Sequence, residues 1–351
     1  MRACVLTATG GIQHLHITDV PDAPAPKAGE VRVAIRAAAL NHLDLFVLDG
    51  LPGGAKQLPH IVGADGAGVV DAIGSDVVNV RPGDRVMVNP GISDYTCEFC
   101  RAGEHSLCVN YRLLGEHLPG TVAELVSVPA HNVVRIPPVS PELTWAEAAA
   151  FSLVTLTAWR MLVTRAQLKS SETALIWGIG GGVSLAALRI AKLLDARVIA
   201  TSSDDAKLAA AKQLGADVTL NHRTQKVAQE VRALTNKRGV DVVVENVGAA
   251  TWDDSLRCLR RGGRLVTCGA TSGPQVSLDL RRLFWHQWSL LGSTMGNAAE
   301  YAEIVRRLSQ GQLRPIVDRV YPMAQARQAF ERLSKGEQLG KVVVEVSSGR
   351  P

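Results

Sequence analysis

The sequence predicts an α/β fold with two domains, in which a β-rich region precedes a doubly wound parallel sheet. Up to about residue 134, short apolar runs alternate with Gly and Pro, a pattern typical of strands and turns. From about residue 140, apolar strands alternate with amphipathic helices, which indicates a parallel sheet covered by helices. The length of 351 residues also favours two domains.

Short apolar runs predict the strands of the first domain, at 31–37, 68–72, 85–88 and 122–128. The prolines in 136–138 end this region, and 141–165 has a helical pattern without internal Gly or Pro. Predicted strands then alternate with predicted helices. The strands are 173–177, 197–201, 217–220, 240–245, 264–269 and 288–292, and the helices are 183–194, 204–214, 224–235 and 249–260.

After residue 294 the pattern predicts helices at 298–310 and 324–335 and a last strand at 341–346. We expect this tail to return to the first domain. The first domain would then comprise 1–154 and 295–351, and the second 155–294.

Composition excludes several classes of protein. With 46% hydrophobic and 20% charged residues the chain is ordinary globular material. No apolar run approaches the roughly 18–20 residues that span a bilayer, so we expect no membrane association. The N-terminus lacks the pattern of a signal peptide, which predicts a cytoplasmic protein with reduced thiols. The net charge of +5 is spread along the chain, so we expect no nucleic-acid partner.

A glycine-rich loop follows the first strand of the second domain, reading Gly178-Ile179-Gly180-Gly181-Gly182-Val183. Small residues there let the backbone turn tightly and approach a pyrophosphate, and the next helix offers free N–H groups at its start. The full G-x-G-x-x-G spacing is not met, because Val183 stands at its third glycine. The strand–loop–helix context still predicts a dinucleotide site from Gly180 to Val183.

The end of the second strand in this domain predicts the choice of cofactor. NAD sites usually place an acid there to hold the ribose hydroxyls. This chain instead has Ser202 and Ser203, followed by Lys207, a set that accepts a 2′-phosphate. Arg223, just past the third strand, is a further candidate contact. The sequence therefore favours NADP(H).

The same segment also allows another interpretation, in which the cofactor is NAD(H). The two serines could cap the following helix, while Asp204 or Asp205 holds the ribose of NAD(H).

Three of the six cysteines form a cluster in the pattern D-x2-C-x2-C-x7-C, made by Asp94, Cys97, Cys100 and Cys108. In a reducing compartment such spacing indicates metal ligation rather than disulfides. A carboxylate is an acceptable zinc ligand beside three thiolates. An empty, reduced loop is the alternative.

The whole chain resembles the medium-chain dehydrogenase/reductase superfamily, which includes zinc alcohol dehydrogenases and quinone oxidoreductases. The resemblance rests on several motifs besides the glycine loop and the cysteine cluster. They are 39–44 (ALNHLD), 63–70 (GADGAGVV), 82–86 (PGDRV), 156–159 (LTAW), 214–217 (LGAD) and 340–342 (GKV). The resemblance implies a GroES-like catalytic domain split around a Rossmann cofactor domain, with one structural zinc on the cysteine cluster.

The resemblance also implies that the usual catalytic zinc is missing. The positions that carry its ligands in zinc alcohol dehydrogenases match Asn41, Ala64 and Leu153, and the proton-relay hydroxyl matches Leu43. Alanine and leucine cannot bind a metal. A substitute metal site from nearby His and Asp residues is a weaker alternative to a hydrogen-bonded pair of His42 and Asp44.

Quinone oxidoreductases of this superfamily lack the catalytic zinc and share an Asn at this position. The expected activity is therefore NADPH-dependent hydride transfer to a quinone or an activated enone or ketone. Asn41 is the expected hydrogen-bond donor to the substrate oxygen, and His42 a proton source. The alternative activities are a zinc alcohol dehydrogenase acting with NAD(P) and a non-enzymatic cofactor-binding protein.

The family pattern adds further expected cofactor contacts, namely Thr155, Val247, Gly248, Gly269, Ala270, Gly292, Ser293 and Thr294. The expected partners are a small-molecule substrate and further copies of the chain, in a homodimer or homotetramer. Relatives often join their sheets along the last strand of the Rossmann domain. Phe284, Trp285 and Trp288 precede that strand and could instead cover an aromatic substrate.

Overall fold

The computed structural model describes residues 1–51 and 57–346. The chain divides into two compact units. The first contains Met1–Leu153 together with the chain from Asn297 onward, and the second contains Val154–Gly296. No helix in the described part of the chain has the length and apolar character needed to cross a membrane.

The first unit is rich in short strands. Up to the start of the second unit its elements are β1 (Arg2–Leu6), β2 (Leu15–Asp19), β3 (Glu30–Ala39), α1 (His42–Asp49), β4 (His60–Ile61), β5 (Asp65–Ile73), β6 (Arg85–Val88), β7 (Gly91–Ile92), α2 (Glu98–Arg101), β8 (Arg112–Leu113), β9 (Leu125–Pro129), β10 (Val133–Arg135), α3 (Trp145–Ala149) and α4 (Ser152–Trp159).

The second unit alternates strands and helices. After α4 its elements are β11 (Thr173–Ile176), α5 (Gly182–Leu193), β12 (Arg197–Ser202), α6 (Asp205–Gln213), β13 (Val218–Asn221), α7 (Val227–Leu234), β14 (Val240–Glu245), α8 (Trp252–Cys258), β15 (Leu259–Thr267), α9 (Leu280–His286) and β16 (Ser289–Gly292). The chain then returns to the first unit as α10 (Ala298–Ser309), β17 (Val317–Pro322), α11 (Ala326–Ser334) and β18 (Lys341–Glu345).

The main sheet of the first unit has the order β10-β6-β5-β3-β18-β17, with β9 also paired to β3. Along β3, Val31, Val33 and Ile35 are buried and alternate with half-buried residues, as expected for a strand with one face on the core. The late strand β18 pairs antiparallel with the end of β3, where Val343 lies opposite Ala39. This pairing brings the far end of the chain beside the start of α1.

The sheet of the second unit is parallel and has the order β13-β12-β11-β14-β15-β16. Its central strands are buried on both faces, which explains why apolar residues dominate Thr173–Ile176 and Val240–Glu245. The strand order reverses between β11 and β14. Ligands of such sheets bind at the carboxyl ends of the strands beside this reversal.

Several predicted elements differ from the observed ones. The helix predicted at 141–165 is broken into α3 and α4, and α4 continues as a π-helical segment, Arg160–Arg165. Strand β15 begins at Leu259 rather than at 264. The elements that were not predicted are β2, α1, β4, β7, α2, β8, β10, α9 and β17. The break between α3 and α4 contains neither Gly nor Pro. It is set by a distant carboxylate, because the N–H of Leu153, in the first turn of α4, donates to Oδ1 of Asp65 at 2.9 Å.

Candidate functional site

A buried cluster of Asn41, Asp65 and Lys341 lies where β3, β5 and β18 meet. The Lys341 ammonium donates to Oδ1 of Asn41 at 2.5 Å and to Oδ2 of Asp65 at 3.0 Å. Lys341 is 3% exposed and Asp65 is fully buried. An ion pair this deep in the protein is retained only when its polar atoms are satisfied, and here they are.

The local backbone fixes where the Lys341 side chain starts. Gly340 has φ of 107°, a value that favours glycine, and a Cβ there would lie 2.4 Å from the carbonyl oxygen of Ile316. The N–H of Lys341 donates to that same carbonyl at 2.9 Å. These backbone contacts fix the start of β18, which pairs with the end of β3, so that the Lys341 side chain reaches Asn41.

The side-chain amide of Asn41 is fully used within the protein. Its Nδ2 donates to Oδ2 of Asp65 at 3.0 Å and to the carbonyl of Ala39 at 3.2 Å, while its Oδ1 accepts from Lys341. The predicted donation from Asn41 to a substrate oxygen is thus not available in this structure, because both amide hydrogens already have acceptors. Asn41 instead holds Lys341 and Asp65 in place.

His42 is the first residue of α1 and is half-buried. Burial and then the charge of Lys341 lower the pKa of its imidazole. Both causes favour the uncharged imidazole, and the role of His42 as a proton source stays a prediction. A neutral imidazole still has one N–H to donate.

Asp44 faces inward from α1 and does not pair with His42, contrary to the predicted pair. Its Oδ2 accepts the N–H of Asn41 at 2.7 Å, as in a capping box, while its Oδ1 is buried without a hydrogen-bond partner among the described residues. Burial raises the pKa of this carboxyl to about 7.

The residues of this region do not fit a catalytic zinc. Ala64 is fully buried and Leu153 nearly so, and neither side chain has a donor atom. The Lys341 ammonium already supplies a positive charge beside Asn41 and Asp65. His60 lies against the carbonyl of Gly115, with 3.0 Å between Nε2 and the oxygen. Among the described residues, a group of metal-ligating side chains converges elsewhere, at the cysteine cluster.

The cysteine loop, residues 94–108, brings together the predicted ligands Asp94, Cys97, Cys100 and Cys108. One ligand atom from each lies within 4.8 Å of all the others. Oδ1 of Asp94 accepts the N–H groups of Thr96 and Cys97, and its Oδ2 accepts Nδ2 of Asn110 at 2.8 Å.

The thiols of this loop have the surroundings of metal ligands. The N–H groups of Asp94 and Asn110 point at Sγ of Cys108, 3.3 and 3.4 Å away, as they would toward a thiolate. Desolvation raises the pKa of Cys100 to about 12, so a metal-free thiol stays protonated. A bound Zn²⁺ reverses this, because it deprotonates a coordinating thiol. The donor set therefore fits a closed, four-coordinate zinc.

The glycine-rich loop joins β11 to α5. Gly178 has φ of 64°, and the N-cap of α5 is Gly181, which offers no capping side chain. The N–H groups of the first turn of α5 therefore have no side-chain cap and suit an anion such as a pyrophosphate. Behind the loop, the Ser184 hydroxyl donates to the carbonyl of Trp177 at 2.7 Å and locks the turn.

At the end of β12, Ser202 is nearly buried and its Oγ accepts the N–H of Asp204 at 3.1 Å. Asp204 caps α6, since its Oδ1 accepts the N–H groups of Ala206 and Lys207. Asp205 accepts Nδ2 of Asn221 at 2.7 Å. Both acids thus have partners within the protein, and neither serine serves as the cap.

The other predicted cofactor residues lie after the carboxyl ends of parallel strands, except Thr155, which is buried in α4. Ser203 follows β12, Arg223 follows β13, Val247 and Gly248 follow β14, Gly269 and Ala270 follow β15, and Ser293 and Thr294 follow Gly292, the last residue of β16. The Ser293 hydroxyl is buried without a hydrogen-bond partner among the described residues. An unsatisfied hydroxyl of this kind fits a site that a ligand completes.

Sequence reasoning missed two residues that organise these sites. Lys341 was part of a recognised motif, but nothing in the motif revealed that its ammonium reaches Asn41. Glu245 is fully buried, and its Oε1 accepts the N–H groups of Val247 and Gly248 at 2.7 and 3.0 Å. A glutamate at the end of a predicted strand rich in valine, as Glu245 is in β14, was the available signal.

Comparison with known proteins places this geometry in a family. Residues 27–138 match the alcohol dehydrogenase GroES-like domain, and residues 182–310 match the zinc-binding dehydrogenase family. The chain is 30% identical to the NAD-dependent alcohol dehydrogenase of Sulfurisphaera tokodaii, across 98% of this chain and 99% of that protein. It is 29% identical to the acryloyl-coenzyme A reductase of Metallosphaera sedula, across 98% and 99%.

A solved structure of an NAD-dependent alcohol dehydrogenase superposes with a TM-score of 0.93, at 43% identity, covering 99% of this chain and all of that one. The predicted fold, a GroES-like domain and a Rossmann domain, is thereby confirmed. The chain belongs to the zinc-type alcohol dehydrogenase family of the medium-chain dehydrogenase/reductase superfamily, and it is an NAD(P)-dependent oxidoreductase.

Proposed function

We propose that this protein is an NADPH-dependent reductase of quinones or activated enones and ketones that works without a catalytic zinc. The observation that carries the proposal is the buried cluster of Asn41, Asp65 and Lys341, in which the amide of Asn41, at one expected ligand position, is bonded to an ammonium group and a carboxylate. Zinc is required to polarise an unactivated carbonyl or to deprotonate an alcohol. Quinones and enones are electrophilic enough to accept hydride without that help.

The electrostatics of the cluster suit a substrate that becomes an anion. The charge of Lys341 contributes to the low pKa of His42, which means that the field at His42 opposes a positive charge. The same field favours an oxygen that gains negative charge in that place, as the carbonyl of an enone does on reduction. Neutral His42 supplies an N–H to such an oxygen, and Asn41 acts as a positioning residue for Lys341.

A bound nicotinamide supplies the hydride chemistry. The chain's part is to hold that cofactor. The N–H groups at the start of α5, which have no side-chain cap, would hold its pyrophosphate. Glu245 accepts the N–H groups of Val247 and Gly248 and so fixes the conformation of the loop after β14. The unpartnered Ser293 hydroxyl is available to the nicotinamide end.

The names of relatives support two substrate classes. Acryloyl-coenzyme A is an activated enoyl thioester, and the reductase named for it aligns over nearly the whole chain. Other relatives are named NAD-dependent alcohol dehydrogenases, which favours the second candidate, an alcohol dehydrogenase acting with NAD(P) and zinc. The donor-free side chains of Ala64 and Leu153 weigh against that second candidate.

A substrate panel tests the proposal. Oxidation of NADPH is measured with quinones, enones, ketones and aldehydes, and reduction of NADP⁺ with alcohols, before and after chelation. We expect turnover of quinones or enones that survives chelation, because no step uses a metal. Alcohol turnover that chelation abolishes would contradict the proposal and support a catalytic zinc.

For the cofactor we propose NADP(H), with Ser203, Lys207 and Arg223 nearest the 2′-phosphate and Ser202 beneath them. The support is that Asp204 and Asp205 both have partners within the protein, so neither is held ready for a ribose. Ser202→Asp should weaken binding of NADPH far more than binding of NADH, because the new carboxylate repels the phosphate. Ser202→Ala is the matched control for lost packing, and equal losses for both cofactors would contradict the assignment.

We propose a homodimer or homotetramer joined along β16. This strand is an edge of the parallel sheet, and edge strands need covering. On the preceding helix α9, Phe284 and Trp285 are 67% and 65% exposed. Trp288 belongs to the core of the second unit, where its Nε1 donates to the carbonyl of Arg260 at 2.9 Å. Light scattering tests the assembly, and Phe284→Glu should shift it toward the monomer.

A further inference from the structure

A concentration of positive charge lies at the amino ends of β14, β15 and β16. Two adjoining grooves of about 470 and 600 Å³ open there and share Arg232 and Lys237 as common walls. Their linings include five further arginines and no aspartate or glutamate. The predicted cofactor residues follow the carboxyl ends of the same strands, so this basic groove is at the opposite edge of the sheet.

The chain is folded so that these cations come together. Gly239 has φ of 90°, and a Cβ there would lie 2.5 Å from the carbonyl oxygen of Cys258. Only glycine allows this approach of the loop before β14 to the start of β15. The approach brings Lys237 and Arg238 into the same groove as Arg260 and Arg261.

Arg232 forms the fixed wall of the groove. Its guanidinium donates to the backbone carbonyls of Arg257 and Leu259 on one side and of Lys237 and Arg238 on the other, over distances of 2.8–3.1 Å. Backbone carbonyls hold the group in position but do not neutralise it. Its full positive charge therefore stays in the groove.

Most of the surrounding cations also lack a counter-charge. Asp241 pairs with Arg238 and Arg260, and Glu172 also pairs with Arg260. Across residues 1–51 and 57–346, Lys237, Arg257 and Arg261 form no ion pair. His286 lines the same groove, and burial and then the charges of three neighbouring arginines lower the pKa of its imidazole.

We propose that the basic groove is a second anion site, distinct from the cofactor site, that binds a small polyphosphate group such as that of a nucleoside triphosphate. Lys237, Arg257, Arg261 and Arg282 line these adjoining grooves, and guanidinium groups bind phosphate oxygens through paired hydrogen bonds. A monovalent anion would leave most of the charge unbalanced, whereas a chain of phosphates offers several negative charges. Grooves of this volume fit a compact ligand rather than an extended polymer.

The test is calorimetric titration of the whole protein, saturated with NADP⁺ so that the dinucleotide site is closed, with inorganic tripolyphosphate and, separately, with ATP. We expect saturable binding that weakens with salt. The double variant Lys237→Gln/Arg261→Gln should bind at least about tenfold more weakly, because it loses two charge-assisted contacts. Both residues are exposed, so the fold should survive their exchange, and circular dichroism checks this.

Arg281→Gln is the matched control. Arg281 lies on α9, is exposed, pairs with Asp279 and is not part of the groove, so its loss should leave the affinity unchanged. Binding of ATP that fails in the double variant supports a nucleotide as the source of the phosphates, and binding of tripolyphosphate alone supports an inorganic one. The proposal is overturned if neither binds the saturated protein or if the double variant binds as well as the wild type. Tighter binding of a single-stranded oligonucleotide at the same residues would also overturn it, in favour of a nucleic-acid surface.

Discussion

The cysteine loop and the buried cluster are both in the first unit, and they differ in the side chains that they bring together. The cysteine loop holds four side chains that can ligate a metal, three thiols and one carboxylate. In the buried cluster the ammonium of Lys341 donates to oxygens of Asn41 and Asp65, so the positive charge belongs to the chain itself. One group of donors thus suits a metal cation, whereas the other is already balanced by a lysine.

The cysteine loop and the buried cluster also differ in whether they stabilise the fold or act on neighbouring groups. A closed four-coordinate site stabilises a loop and leaves no open position for a substrate. A buried ammonium cannot take a substrate as a ligand either, but its charge acts on nearby groups, as the lowered pKa of His42 indicates. The following experiments test the buried cluster, the neighbouring Asp44 and the cysteine loop, from the largest expected effect to the smallest.

Lys341→Met should destabilise the protein most. It leaves the carboxylate of Asp65 buried without its cation, and breaking a buried pair in this way costs about 3–5 kcal/mol in the free energy of unfolding. Thermal unfolding measures the loss. In the double variant Asp65→Asn/Lys341→Met most of it should return, because no unpaired charge remains. Equal stability of the wild type and the single variant would show that Lys341 does not balance Asp65.

Asp44→Asn should change how stability depends on pH. Burial raises the pKa of Asp44 from 3.8 to about 7, so between these values the folded protein holds a proton that the unfolded protein has lost. The stability of the wild type therefore falls as the pH rises from about 4 to about 7.

Asparagine cannot ionise, and it keeps an oxygen to accept the N–H of Asn41. The variant should thus gain a few kcal/mol over the wild type across that range of pH and show no further gain above it. Unfolding midpoints of both proteins, measured at a series of pH values, give the difference directly. Parallel curves would mean that Asp44 titrates as an ordinary carboxyl.

Asn110→Ala tests the cysteine loop without replacing any of the four predicted metal ligands. Nδ2 of Asn110 orients the carboxylate of Asp94, and loss of such a partner typically weakens a metal site by about 10–100-fold. Release of zinc to a chromogenic chelator measures the effect. Cys258→Ala, a buried cysteine outside the loop, is the control and should leave zinc retention unchanged. A protein purified without zinc, or indifferent to this exchange, would support an empty loop.

The sequence predicted the second unit well because parallel strands buried on both faces are continuous apolar runs. The strand at 240–245 has the predicted bounds, and the helix that begins at Ala298 starts where predicted. It predicted the grouping of the four side chains in the cysteine loop for a similar reason, since all four are within one short segment. Spacing along the chain carries such local information directly.

Spacing along the chain could not predict the buried cluster. Asn41 and Lys341 are separated by 300 residues, and only the pairing of β18 with β3 brings them together. The sequence predicted that Asn41 donates to the substrate, because it could not show that both amide hydrogens already have acceptors in Ala39 and Asp65. The broken helix after residue 150 had a similar cause in Asp65.

The position of Lys341 in β18 has a consequence for synthesis of the chain. Asp65 leaves the ribosome long before the lysine that neutralises it, 276 residues earlier. Until β18 emerges and pairs with β3, the nascent first unit must keep Asp65 hydrated or protonated. The charge balance of this unit is therefore completed late in translation. In nascent chains arrested before β18, residues 37–39 at the end of β3 should form an open, protease-sensitive edge even when the second unit has already folded.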